Sequence, residues 1–259
     1  MSRRANHLGK ILLWAVACVV ATTAWGAEDT NKVFRARAEA TFYRTQALLQ
    51  TDANNSSNAW VFARACYDLV QFSTNKVKQA DIARLGITAC EQLVKRDPKS
   101  AAGHYYLAMN YGELADAVEP SLTAYRLIRD IEREFKAALA LDETFDFAGP
   151  DRCLGLLYRD APGWPISIGS WHKAREYLER ADVVAPNFPE NQLNLAESYL
   201  QWREDGEAGK NLKKLESTWN SAQTNLTGEA WEVSWRDWVS RRIAARIEFQ
   251  KLFKRVPGT

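Results

Sequence analysis

Beyond its first 26 residues the chain holds two histidines, His104 and His172, and three cysteines, Cys66, Cys90 and Cys153. These are the side chains best suited to nucleophilic or metal chemistry near neutral pH. Cys153 could serve as a nucleophile with His172 as its base and Asp151 as the group that orients the base, but nothing in their spacing requires the three to meet. The cysteines are separated by 24 and 63 residues and include no Cys-x-x-Cys pair, so they match no zinc pattern. Asp142, Glu143 and Asp146 lack the glycine and terminal glutamate of a calcium loop and read as an acidic, solvated turn. His-Glu-x-x-His, Gly-x-Ser-x-Gly, a phosphate loop and a dinucleotide fingerprint are all missing. The sequence therefore predicts a protein that is not an enzyme, with no catalytic residue, no cofactor and no metal.

The compartment is written at the N-terminus. Arg3, Arg4 and Lys10 precede an apolar run, Ile11 to Ala21, and Ala24-Trp25-Gly26 places small residues where a signal peptidase reads. Residues 1–26 are expected to be a cleaved export signal, leaving a periplasmic or secreted protein. Ala15-Val16-Ala17-Cys18 resembles a degraded lipoprotein box, which keeps a lipid anchor on Cys18 open as the alternative. The apolar run falls short of the roughly 20 residues a membrane span needs, so the mature chain should carry no transmembrane helix. Removing the segment leaves 31 Lys and Arg against 32 Asp and Glu. A chain so nearly neutral has no general field for a polyanion, and no nucleic-acid partner is expected. In an oxidising compartment the three cysteines are either small buried hydrophobes or include a disulfide, the candidate pair being Cys66 and Cys90 across a helical hairpin.

The elements that would position such groups show up as internal repeats. WVFARACY (Trp60 to Tyr67), HYYLAMNY (His104 to Tyr111), DRCLGLLY (Asp151 to Tyr158) and QLNLAESY (Gln192 to Tyr199) share one frame ending in tyrosine. A second segment repeats at offsets of 4, 3 and 5: Gly86, Cys90, Leu93 and Pro98; Ile131, Phe135, Ala138 and Glu143; Ala174, Leu178, Ala181 and Pro186. These offsets resemble the tetratricopeptide repeat, two helices per unit. Residues three and four apart share a helix face, so Leu154, Gly155 and Tyr158 form a stripe facing the second helix, and Pro98 and Pro186 end theirs. The expected fold is all-α, a tetratricopeptide-like helical-hairpin solenoid over residues 31–255, with repeats at about 58–98, 101–143, 149–186 and 189–222. Its tyrosines recur every 44, 47 and 41 residues against a usual period of about 34. The excess is assigned to elongated inter-helix turns: Gln71 to Asp81, Gly112 to Ser121 and Arg159 to Ser170. Flanking helices are expected at about 32–50 and 229–254, the latter burying Trp231, Trp235 and Trp238 as a cap and turning its arginines, from Arg236 to Arg255, to a solvated face.

Two stretches, DETFDFAGPDRCLGLLYRDAPGWPISIGSWHKAREYLERA and LTGEAWEVSWRDW, carry a narrower resemblance. They are similar to exported bacterial tetratricopeptide proteins related to the T component that accompanies tripartite ATP-independent periplasmic (TRAP) transporters. The resemblance spans roughly Ala101 to Trp238 and implies a periplasmic scaffold with a groove for an apolar ligand and a soluble binding-protein partner.

Helical phase off the packing stripe places Tyr105 and Met109, then Arg152, Leu156 and Arg159, then Leu193 and Glu197 on a concave partner-binding face. An apolar floor with two arginines suits a peptide of another envelope protein, or a small apolar or acidic solute held by a transport accessory protein. The same arginines could instead be held by Asp151, Asp160 or Glu197 as structural pairs. DAPGWPISIGSWHKA (Asp160 to Ala174) is the insertion of the third repeat, closed by Ser170 as the cap of the next helix. Its apolar Trp164 and Ile166 are expected either to fold back onto the neighbouring repeat or to form a lid over the groove.

Overall fold

The computed structural model describes residues 24–118 and 122–254. The expected export segment lies almost wholly outside the described residues, as does Cys18. Among the described residues ten α-helices follow one another: α1 Ala24–Thr51, α2 Ser56–Val70, α3 Lys76–Arg96, α4 Ala101–Ala117, α5 Leu122–Leu141, α6 Phe145–Asp160, α7 Trp171–Val184, α8 Pro189–Trp202, α9 Asp205–Asn225 and α10 Glu232–Lys254. A 3-10 turn, Glu229–Trp231, leads into α10. No described helix is long and apolar enough to cross a membrane.

Local chemistry sets most helix starts. Asn55, Asn75, Ser100 and Ser170 each accept a bond from a first-turn amide with the side chain, satisfying donors that have no partner inside the helix. Pro189 opens α8, where its missing N–H costs nothing. Helices α3 and α7 close two residues before Pro98 and Pro186.

The helices divide into two compact units, one comprising the described residues up to 145 with the loop 160–169, the other residues 146–159 and 170–254. In the first, α1 packs on α2, α2 on α3 and α4, α3 on α4, and α4 on α5. Phe42, Phe62, Leu69, Val70 and Ile82 fill its core. Asn110, fully buried, donates to the carbonyls of Ala63 and Tyr106 at 3.0 and 2.8 Å. A Cβ on Gly86 would stand 2.3 Å from Asn110 Oδ1, so glycine is what lets α3 approach α4 there. Of the two readings open for Cys66 and Cys90, the disulfide is not formed. Both are free, buried thiols, and burial pushes both well above the ordinary thiol range, so they behave as small hydrophobes.

In the second unit the Leu154-Gly155-Tyr158 stripe faces α7 as its spacing predicts. A Cβ on Gly155 would lie 2.6 Å from Leu178 Cγ, and the Tyr158 and Tyr177 rings stack at 5.5 Å. Helix α8 packs on α7, α9 and α10, and Phe188, Leu193, Leu212, Leu215, Trp219 and Trp238 make up the core.

The long period has a different origin from the expected one in two repeats. Only residues 71–75 separate α2 from α3, and α4 continues through Ala117, so much of the excess is added helical turn. The third insertion is a true loop, residues 161–170.

The basic C-terminal face is also corrected. Arg241 is mostly buried, with Nη1 donating to Glu190 at 2.7 Å and Nε to Glu197 at 2.8 Å. Arg242 pairs with Glu216 and lies 4.3 Å from the Trp219 ring centroid. Two of those arginines therefore tie α10 to the helices beneath it.

Candidate partner-binding site

Three successive non-glycine residues at the start of α6 adopt left-handed backbone: Asp146 (φ 50°), Phe147 (φ 55°) and Ala148 (φ 61°). Each such residue costs roughly 1–2 kcal/mol because its Cβ crowds the following carbonyl. Arg152, 7% exposed, holds the turn from one side. Its Nη1 donates to Asp146 O, Phe147 O and Asn191 Oδ1 at 3.3, 3.2 and 2.9 Å, and its Nη2 reaches Asp146 Oδ2 at 2.8 Å. Asn191 holds it from the other, donating from Nδ2 to Phe147 O at 2.9 Å and Ala181 O at 3.0 Å. The turn sets the Phe147 ring flat on Phe188 at 4.4 Å with Trp231 edge-on at 5.7 Å, and leaves Phe147 41% exposed.

Beneath this platform lies a buried ionic network. Burial alone would raise Glu190, but Arg241 and Arg152 beside it, with bonds from Arg241 and Trp238, hold it down at about 2. Burial pushes Asp237 up to about 6 against the pull of Arg241. Asp151, fully buried, pairs with Arg180 at 2.8 Å.

These contacts dispose of several residues expected on a groove. In the first unit Tyr105 is core, ringed by Tyr106, Phe135 and Phe145 at 5.2, 5.7 and 5.2 Å, and Met109 is partly exposed. In the second, Leu193 is fully buried, Arg152 is committed to the turn and Glu197 to Arg241. Leu156 and Arg159 are partly exposed, with Arg159 Nη1 donating to Ser198 Oγ at 3.0 Å. Phe147, Asn191 and Glu190 were not singled out from the sequence, and Arg241 was read there only as part of a solvated basic face. No glycine marks positions 146–148, so the left-handed turn left no signal there.

The loop 160–169 is closed by its own backbone. Gly169 N donates to Pro162 O, and the amides of Ile166 and Ser167 donate to Gly163 O. A Cβ on Gly169 would sit 2.0 Å from Ala161 O, so the loop's ends meet only because that residue is glycine. At its tip Trp164 is 89% and Ile166 64% exposed. Folding back onto a neighbouring repeat would have buried them, and that expectation is corrected. His172 is exposed, while His104 is half-buried between Glu134 and Pro98 O at 2.6 and 3.1 Å. Among the described residues no three His, Cys, Asp or Glu side chains are grouped to hold a metal.

Comparison with known proteins supports the fold. The family model described as Regulator of microtubule dynamics protein 1-3 (RMD1-3) matches residues 29–147. No curated protein matches the chain. The crystal structure of TTC0263, a thermophilic TPR protein of Thermus thermophilus, is similar over 82% of this chain and 92% of that one, with a TM-score of 0.61 and 18% identity. The crystal structure of MamA is similar over 78% of this chain and 98% of that one, with a TM-score of 0.50 and 17% identity. The chain thus has the all-α, helical-hairpin solenoid fold of tetratricopeptide proteins.

Proposed function

We propose that this protein is an interaction scaffold of the bacterial envelope, exported by residues 1–26, that captures an apolar segment of a partner protein. The observation that carries this reading is the loop 160–169, where a tryptophan and an isoleucine stand in solvent on backbone fixed by its own hydrogen bonds. Exposed aromatic anchors on pre-ordered backbone are the usual centres of protein interfaces, because binding them buries much area at little entropic cost. The stacked-hairpin fold supports the same reading, since tetratricopeptide proteins bind partner segments. Phe147 offers a second exposed ring in the other unit. The export signal and a neutral mature charge support an envelope location and a protein partner in preference to a polyanion.

The test is capture from native envelope extracts by the purified protein, comparing the parent with Trp164→Ala and Ile166→Ser. Both substitutions remove solvent-facing side chains, so the melting temperature is expected to hold within about 2 °C while capture falls at least tenfold. Undiminished capture by the doubly substituted chain would remove the loop from the interface. A partner found outside the envelope would overturn the location.

A further inference from the structure

Glu113 stands where a carboxylate is least favoured. It lies in the last two turns of α4, 9% exposed, and its Oε1 accepts from Nε2 of Gln71, the residue that closes α2, at 2.7 Å. The C-terminal ends of two helices therefore meet at this side chain, and a helix C-terminus disfavours negative charge. Among the described residues no lysine or arginine forms an ion pair with it. Asp116, three positions on and on the same face of α4, adds a second carboxyl. Lys76, exposed at the start of α3, acts on both carboxyls without pairing with either, and no charged group of α5, also packed on α4, acts on them. The turn 71–75 between α2 and α3 is ordered by its own bonds: Phe72 N and Ser73 N donate to Leu69 O and Val70 O, and Gln79 Nε2 donates to Ser73 O. The bond from Gln71 to Glu113 fastens that turn to the end of α4.

We propose that Glu113 is a proton-operated latch: protonated, it holds the turn 71–75 on the end of α4, and ionised, it releases the two. A neutral carboxyl keeps its bond to Gln71 without burying charge. An ionised one is buried against two helix ends and a second carboxyl with no paired cation, and it gains by moving out into water. Burial and Asp116 accordingly push Glu113 from 4.5 up to about 8, against the pull of Gln71 and Lys76. Once released, it titrates as an exposed carboxyl near 4.5. The latch is therefore closed in acid, its opening grows about tenfold per pH unit between 4.5 and 8, and the growth levels off above 8. Asp116, raised to about 6, adds to this response only below pH 6. Release is local: it frees the last turn of α4 and the turn 71–75 while Phe42 and Phe62 keep their places in the core.

Amide hydrogen exchange of the purified full chain between pH 6 and 9, read residue by residue, tests the latch. Divided by the base-catalysed rate of an unstructured amide, the exchange of Phe72, Ser73 and Val118 measures the opening directly. It is expected to rise about 50-fold from pH 6 to 8 and only about twofold from 8 to 9. Leu107 and Ala108, in the middle of α4 and buried, are expected to stay slower throughout. Glu113→Gln keeps a neutral acceptor for Gln71 and is expected to abolish the rise. Gln71→Ala removes the fastening bond and is expected to speed exchange of the same three amides already at pH 6. Corrected exchange that does not change with pH overturns the proposal, as does a rise that persists in Glu113→Gln or a Gln71→Ala chain that exchanges like the parent. A rise shared equally by Leu107 and Ala108 also overturns it, because the whole unit would then be unfolding.

Discussion

The guanidinium of Arg152 donates from both terminal nitrogens, and most of its partners belong to the turn at 146–148. Its planar fork bridges two main-chain carbonyls, a carboxylate and an amide oxygen at once, which an ammonium cannot do. Arg152→Lys is therefore expected to cost about 2–4 kcal/mol in urea unfolding, because it releases a strained turn and leaves buried acceptors unpaired. Any loss of partner capture in that variant should follow the loss of stability. Glu113 makes a complementary case. Burial and the neighbouring Asp116 push it from 4.5 up to about 8, although Gln71 Nε2 donates to it at 2.7 Å and Lys76 pulls it down. The native carboxyl therefore keeps its proton to near pH 8, whereas the unfolded chain releases it near 4.5, so stability falls as pH climbs through that window. Asp116, raised to about 6, acts in the same direction. Glu113→Gln is expected to flatten that decline and to stabilise the protein by on the order of 2 kcal/mol at pH 8, read from urea midpoints across pH. Neither residue declares its role in sequence. Arg152 has the helical phase of a groove residue, and only its distance to Asn191, 39 positions away, shows that it is an internal brace.

Helix boundaries and packing stripes were more legible, because they depend on residues only a few positions apart. Ser170 caps α7, Pro98 and Pro186 follow α3 and α7, and the tryptophans of α10 line the core, as spacing predicts. Turn lengths were not legible, since polar residues such as those of Gly112 to Ala117 extend a helix as readily as they end one. The inter-helix glycine gives a direct test. Gly155→Ala forces a methyl to within 2.6 Å of Leu178 Cγ, close to the α7 backbone, and is expected to destabilise by about 1–3 kcal/mol in thermal unfolding, although alanine favours helix. The C-terminus of α8 offers the opposite sign. Arg203 closes that helix with φ 62° while its amide donates to Leu200 O, a position glycine occupies without strain. Arg203→Gly is expected to raise stability by about 0.5–1 kcal/mol by the same measurement.

At the scale of the whole molecule the two units carry opposite acid responses. Unit one holds Glu113 and Asp116, both raised, so acid favours it. Unit two holds Glu190, which remains ionised in the fold down to about pH 2 but only to about 4.5 when unfolded. Its contribution is complete above 4.5 and is lost as pH falls through 2, on the order of 3 kcal/mol across the span. Asp237, raised to about 6, offsets part of this between 3.8 and 6, but below about pH 4 it is protonated in both states and Glu190 acts alone. When Glu190 gains its proton, Arg241 loses one of its carboxylate partners and keeps Glu197, leaving a mostly buried cation at the junction of α8 and α10 with less to neutralise it. Trp219, Trp231, Trp235 and Trp238 pack in the core of this unit, so a change in tryptophan emission weighs toward it, with Trp60 and Trp164 of the first unit contributing a background. Titration from pH 5 to 2 is expected to shift that emission to the red while much of the helical circular dichroism of the first unit persists. Glu190→Gln should bring the red shift to neutral pH and remove most of its acid dependence. A single transition in which emission and helicity fall together in both proteins would show that the units unfold as one and that Glu190 does not govern the acid limit.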